Sequence, residues 1–341
     1  KNFEKMKNIR SLNVVNSQLT ELPARLGELP ELRDLEISGN TISEFPAALA
    51  ENLQKVVSLR MNDTKLTTLP SNIFGMKMMS TFDFRNNPNL NALPENRGEG
   101  VRMGGLLLDN CGFTSIPKIA KGRLRTLTLA NNKITSVSES ELNGLSDELE
   151  TLVLDGNKIN TFPKMNSESL IELKLDDCVL YAIQDLSALH NVSSLALAKN
   201  NINAICDGVF SKNPYISILD FSDNAGLTSF SANAGIYLKE QEDVIKGVTE
   251  KVSKPFYLHC VNVDNCPSLT WQVPATWCCI ENFKMENKED LLLPRRNVIV
   301  YNRNSSGVTR AVCPVDGCKA TYELPKDFDE YLESLKKKSD E

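Results

Sequence analysis

The feature that most constrains this chain is a short apolar pattern that returns in register about every 21 to 25 residues. Ile9, Leu12, Val14, Leu19, Leu22 and Pro23 set it out. It returns at Leu32, Leu35, Ile37, Asn40, Ile42, Phe45 and Pro46, and again at Val56, Leu59, Met61, Leu66, Leu69 and Pro70. Further copies start at Met79, Met103, Leu124, Leu149, Leu170, Val192 and Ile216, and a last one at Leu258. A fixed period of this length is the signature of a stacked solenoid, in which no single unit buries its apolar face alone. Within each copy the leucines alternate with period two, which predicts a short strand with the leucines inward. An Asn follows in most copies (Asn40, Asn87, Asn132, Asn157, Asn200, Asn224), where its amide can satisfy buried backbone groups of adjacent coils.

The pattern L-x-x-L-x-L-x-x-N-x-L resembles the leucine-rich-repeat family over roughly residues 1–275, most clearly in LRTLTLANNKI, LETLVLDGNKI and LRDLEISGN. The resemblance implies an α/β class solenoid, curved, with short parallel strands on the concave face and irregular, 3₁₀ or helical segments outside. About ten to eleven repeats are expected in residues 1–275, with an irregular or helical excursion near 231–257, where Val244, Ile245, Val248 and Val252 have near-helical spacing. Residues 276–341 are expected to form a cysteine-containing cap and a charged tail. Ser17, Thr64, Cys111 and Cys178 stand at the Asn position, so Cys111 and Cys178 read as buried thiols. The copies NNPNL and DNAGL hold one extra residue, which should bulge the turn.

Six of the nine cysteines, Cys260, Cys266, Cys278, Cys279, Cys313 and Cys318, crowd the last quarter of the chain. They read as disulfide candidates closing the C-terminal end, which implies an oxidising compartment, and their connectivity stays open. A zinc site from Cys313 and Cys318 with Cys278 and Cys279 is the competing reading. The strand NVIVYNRN and the stretch TYELP suggest a small hairpin within the cap. Asn62, Asn191 and Asn304 head N-x-S/T sequons, and with the cysteines they point to an extracellular location. A glycan on Asn62 would obstruct part of the concave surface.

Composition removes several functions. The formal net charge is -6, so a basic nucleic-acid footprint is missing. No run of 18 apolar residues spans a bilayer, and no signal-peptide core opens the chain. Lys1 is not an initiator Met, so a processed or trimmed start is expected, and a membrane anchor outside the chain is compatible with the reading. His190 and His259 have no partner at a catalytic spacing, and nucleotide-binding, lipase-type and zinc-protease motifs are missing. Carboxylates on a wet repeat face are not expected to have raised pKa values. No enzyme, cofactor or metal is expected; the alternative to the last is a calcium site among Asp155, Asp176 and Asp177.

A ligand would meet the strand residues between the leucines. That reading gives Asp63, Asp83, Asp109, Asp155, Glu172, Asp176, Asp177, Asp220 and Asp223 as ligand-binding candidates, with Asp34, Glu36 and Asp264 beside them. The basic residues there are Arg60, Arg85, Lys174 and Lys199. The excess suits a protein or peptide ligand of basic character. The alternative is that Asp simply suits the turn after the strand. The expected function is an extracellular, non-catalytic recognition scaffold, as a receptor ectodomain or secreted protein. An intracellular signalling adaptor and a self-associating surface-coat or adhesion protein are the alternatives.

Overall fold

The structure, a computed structural model, describes residues 6–94, 103–119, 123–183, 186–210, 212–213, 215–231, 260–263, 265–269 and 299–301. By compactness the chain divides into two units, 1–179 and 180–341.

In the first unit every repeat contributes one three-residue strand: β1 (Ser11–Asn13), β2 (Asp34–Glu36), β3 (Ser58–Arg60), β4 (Thr81–Asp83), β5 (Gly105–Leu107), β6 (Thr126–Thr128), β7 (Thr151–Val153) and β8 (Glu172–Lys174). Each pairs in parallel with the next, and the register puts leucine on leucine: Leu12 on Leu35, Leu35 on Leu59, Leu106 on Leu127, Leu152 on Leu173. Parallel strands need long crossovers, and the remaining twenty or so residues of each repeat supply one. Leu59, Phe82, Leu106, Leu127, Leu152 and Leu173 are completely buried, as are Phe84, Leu108, Leu129 and Leu154 two positions on. Each such side chain contributes about 2–3 kcal/mol relative to exposure. Phe82 also stacks on Phe84 and meets the Phe74 ring edge-on at 5.8 Å.

Opposite the strands the chain is loosely helical, as the pattern implies. A 3₁₀ turn (Ala24–Glu28) follows Pro23, α1 (Ala47–Asn52) follows Pro46, and a second 3₁₀ turn spans Ile73–Gly75. The α2 helix (Glu139–Asn143) starts on a capping box in which Ser138 and Glu141 satisfy each other's backbone N–H groups.

The second unit repeats the scheme with β9 (Ser194–Ala196), β11 (Ile218–Asp220), β13 (Cys260–Asn262) and β14 (Ile299–Tyr301) in one parallel ladder. Strands β10 (Ala204–Ile205) and β12 (Ser229–Phe230) form a separate parallel pair. Of the two segments expected to form a hairpin in the cap, the first contributes Ile299–Tyr301, which adds in parallel to β13. The stretch TYELP, the excursion near 231–257 except Ser231, and Cys278, Cys279, Cys313 and Cys318 lie outside the described residues.

The Asn position works as a rung between coils. Asn87 donates through Nδ2 to the carbonyls of Phe84 (2.8 Å) and, one coil back, Met61 (2.9 Å). Its Oδ1 accepts from the Leu66 N–H (3.0 Å) and the Thr64 hydroxyl (2.7 Å). Asn40, Asn132, Asn157 and Asn224 bond in the same way. Cys111 and Cys178 take the rung as buried thiols, pointing at the carbonyls of Phe84 (3.4 Å) and Leu154 (3.6 Å). So does Cys266, whose thiol donates to the Phe221 carbonyl at 3.2 Å. Cys266, expected among the disulfide candidates, thus stands at the rung position of its repeat.

The bulged turns have a specific form. In NNPNL, DNAGL and also CPSL the extra residue closes an i to i+3 bond: Leu90 N–H to Asn87, Leu227 N–H to Asn224, Leu269 N–H to Cys266. Sequence reasoning misses Asn213, which no repeat position marks. It is fully buried, and its Nδ2 holds the carbonyls of Leu186 (2.9 Å) and Leu189 (2.7 Å) one coil back.

Burial pushes the Cys111 thiol up to about 11 and the Cys178 thiol up to about 12, whereas Cys206 is exposed. The thiolate is the reactive form. Brief iodoacetamide treatment of the native protein at pH 8 should therefore alkylate Cys206 and spare Cys111, Cys178 and Cys266. Rapid native labelling of those three by peptide mass mapping would contradict the rung assignment.

Candidate ligand-binding face

Three of the nine candidate carboxylates, Asp83, Glu172 and Asp220, sit in strands. The other six are displaced from the expected position. Asp63, Asp109, Asp155, Asp176, Asp177 and Asp223 lie in the turns that follow the strands. Asp63, Asp177 and Asp223 have φ of 53°, 50° and 58°, in the slot filled elsewhere by Asn16, Asn86, Asn110, Asn131, Lys199 and two glycines. The left-handed region favours Asp, Asn and Gly, so this part of the acidic pattern has a backbone cause. At Gly39 and Gly156 a Cβ would lie 2.0 Å from the Oδ1 of Asn16 and Asn131, so the amide of the preceding coil fills the space.

One residue earlier, the carboxylates act as staples to the next coil. Asp109 accepts from the Ala130 N–H (2.7 Å) and the Thr128 hydroxyl (2.9 Å). Asp155 accepts from the Asp176 N–H (2.8 Å). Ser38 does the same for the Asn62 N–H (3.1 Å). Stapling draws these carboxylates out of water. Burial holds Asp155 up at about 6, against the Asp176 N–H and Lys174, which favour the charged form; Asp109 is raised for the same reason. The expectation that face carboxylates keep ordinary pKa values is therefore corrected for these two.

Cations offset some of the remaining charge. Arg85 grips Asp83 with two bonds of 2.8 and 2.9 Å, Arg60 bonds Glu36, and Lys174 meets Glu172 at 3.0 Å. From the start of β4 to the turn after β8, counting only strands and their following turns, there are six carboxylates against two cations. Between them lies a neutral stretch of β5 to β7, made of Gly105, Leu107, Thr126, Thr128, Thr151 and Val153. In the second unit, Asp220 accepts from the Ser222 N–H and hydroxyl, and the Asp223 carboxylate accepts from the Asn265 amide.

Asn62 follows β3 in the turn, half-buried; Asn191 is exposed in a turn before β9, and Asn304 and His259 lie outside the described residues. His190 is exposed. Among the described residues no group of three or more His, Cys, Asp or Glu side chains is placed to hold a metal ion. No helix among them is long and apolar enough to cross a membrane.

Repeats of this period, one parallel strand each, with an Asn or Cys rung between coils, define a leucine-rich-repeat fold. No family model matches the chain. Keratocan of Danio rerio is 31% identical over 166 residues, which are 45% of this chain and 40% of keratocan. The fold matches the solved complex of TLR13 with ssRNA13, with a TM-score of 0.58 at 18% identity, covering 79% of this chain and 43% of that one. It also matches the Toll–Spatzle complex of Drosophila, with a TM-score of 0.52 at 17% identity, over 77% of this chain and 34% of that one. The chain thus spans less than half of each of these proteins.

Proposed function

We propose that this chain is the recognition part of an extracellular, non-catalytic leucine-rich-repeat protein, and that it binds a basic protein or peptide across β5 to β8. The observation that carries this reading is the five-to-one excess of carboxylates over β5 to β8 and their following turns, beside a neutral stretch of short side chains. Short Thr, Gly and Val side chains let a partner approach the sheet closely, while Asp109, Asp155, Asp176 and Asp177 attract its cations. The same charge disfavours a nucleic-acid ligand, although TLR13 is solved with RNA. The likeness to keratocan, and to Toll in its complex with Spatzle, supports an extracellular protein ligand.

The test is a peptide library with fixed Lys or Arg pairs, panned against the protein and against the double variant Glu172→Lys, Asp177→Lys. Lys199 occupies the left-handed slot of Asp177 with φ 53°, so lysine is tolerated there, and Asp155 is left intact because it staples the next coil. Selected basic peptides should bind the variant at least tenfold more weakly, with the loss shrinking at high salt. Equal binding to both proteins would remove β5 to β8 as the site.

A further inference from the structure

The first four coils carry an open groove of about 480 Å³, lined among others by Glu36, Ser38, Arg60, Asn62, Asp83 and Arg85. Four of its five charged side chains are matched, Arg60 on Glu36 and Arg85 on Asp83, and the fifth, Asp63, accepts from the Asn86 amide at 3.3 Å. An anionic ligand would have to break those pairs to reach a guanidinium. A neutral polyhydroxyl ligand would not, because each hydroxyl can donate to a carboxylate and accept from a guanidinium at once. Among the described residues no aromatic side chain lines the groove.

Asn62 opens the sequon Asn62-Asp63-Thr64 at this place. Its Oδ1 accepts from the Ser38 hydroxyl, and its main-chain N–H donates back to the same oxygen at 3.1 Å. That grip orients the amide. Nδ2, the atom to which an N-glycan is joined, is neither buried nor hydrogen-bonded among the described residues. Thr64, in contrast, is buried, with its hydroxyl committed to Asn87 and to the Met61 carbonyl (3.1 Å).

We propose that Asn62 is an N-glycosylation site and that the groove seats the first sugars of its glycan. The proposal rests on the extracellular reading given above. In the modification, Nδ2 forms a bond to C1 of N-acetylglucosamine carried on a lipid pyrophosphate. The C1–O bond breaks with its electron pair on the departing pyrophosphate, and one Nδ2 proton is lost. Because the folded coil sequesters Thr64, the transfer takes place before the repeat closes. The sugar then occupies the face over β1 to β4 and leaves the face over β5 to β8 to the protein ligand.

The experiment uses protein from its native source, treated with peptide-N-glycosidase in ¹⁸O-water and mapped by mass spectrometry. The expected result is a labelled Asp at position 62, released at least tenfold more slowly from the native protein than from the denatured one. Glycan on Asn191 or Asn304 with Asn62 bare would overturn the site and leave the extracellular reading standing. Sugar on none of the three would overturn both. Occupancy with equally fast native release would overturn the seating in the groove.

Discussion

Asn87→Ala should lower the stability of the folded protein by about 4 kcal/mol, read as a shift in the urea midpoint. The substitution removes two donors and an acceptor at a fully buried position. It leaves the Leu66 N–H without its acceptor, the Met61 carbonyl with only the Thr64 hydroxyl, and the Phe84 carbonyl with only the weakly donating Cys111 thiol. Each buried polar group left without a partner costs about 1–3 kcal/mol, and few mechanisms other than a broken buried network reach such totals. The internal control is Cys111→Ala. A thiol is a weak donor, and the Cys111 rung points at the Phe84 carbonyl at 3.4 Å and the Asp109 carbonyl at 3.6 Å. Its loss should cost about 1–2 kcal/mol, mostly from the small void. Equal destabilisation by the two variants would show that the rung residue fills space instead of satisfying backbone.

Asp155→Asn should stabilise the protein by about 2–3 kcal/mol at pH 7.5 and by almost nothing near pH 4. The folded-state pKa of Asp155 is raised to about 6 from 3.8, chiefly by burial. The folded form therefore holds the proton more tightly than the unfolded chain. The stability this group contributes is fully present below about pH 4 and is lost as pH rises through about 6. A shift of two units corresponds to about 3 kcal/mol. An Asn side chain there keeps an oxygen for the Asp176 N–H and carries no charge, so the variant lacks this contribution to the slope. Thermal melts of both proteins at pH 4, 6 and 7.5 check it; parallel stability curves across that range would contradict the burial of the carboxylate. Asp109 is raised in the same direction, so the Asp155→Asn variant should retain a smaller residual slope.

The carboxylate staples show why the face is only partly legible in the sequence. Charge at Asp109 and Asp155 is visible there, but their desolvation depends on an amide contributed by a residue 21 positions later. Asp63, Asp177 and Asp223 group with the strand residues by position, because position alone does not disclose a change to positive φ in the turn beyond the strand. Cys266 groups with its cysteine-rich neighbours because nearness in sequence suggests a staple. Its position in the repeat, eight residues after Leu258 as Asn40 is eight after Leu32, already carries the other reading.

The sequence by itself determined the repeat: its period, the inward leucines, the rung residues, and the buried thiols at Cys111 and Cys178. These follow from side-chain alternation and from the demand that every coil satisfy its neighbour's backbone, and both are written into spacing. Only the tertiary structure decided which charges remain free to act. Arg85 covers Asp83, Lys174 meets Glu172, the Ala130 and Asp176 amides hold Asp109 and Asp155, and the Ser38 hydroxyl holds the Asn62 amide oxygen. Three of these five contacts cross from one coil to the next, and Arg85 and Lys174 reach back two residues along the chain by a side-chain geometry that no pattern of residue types records.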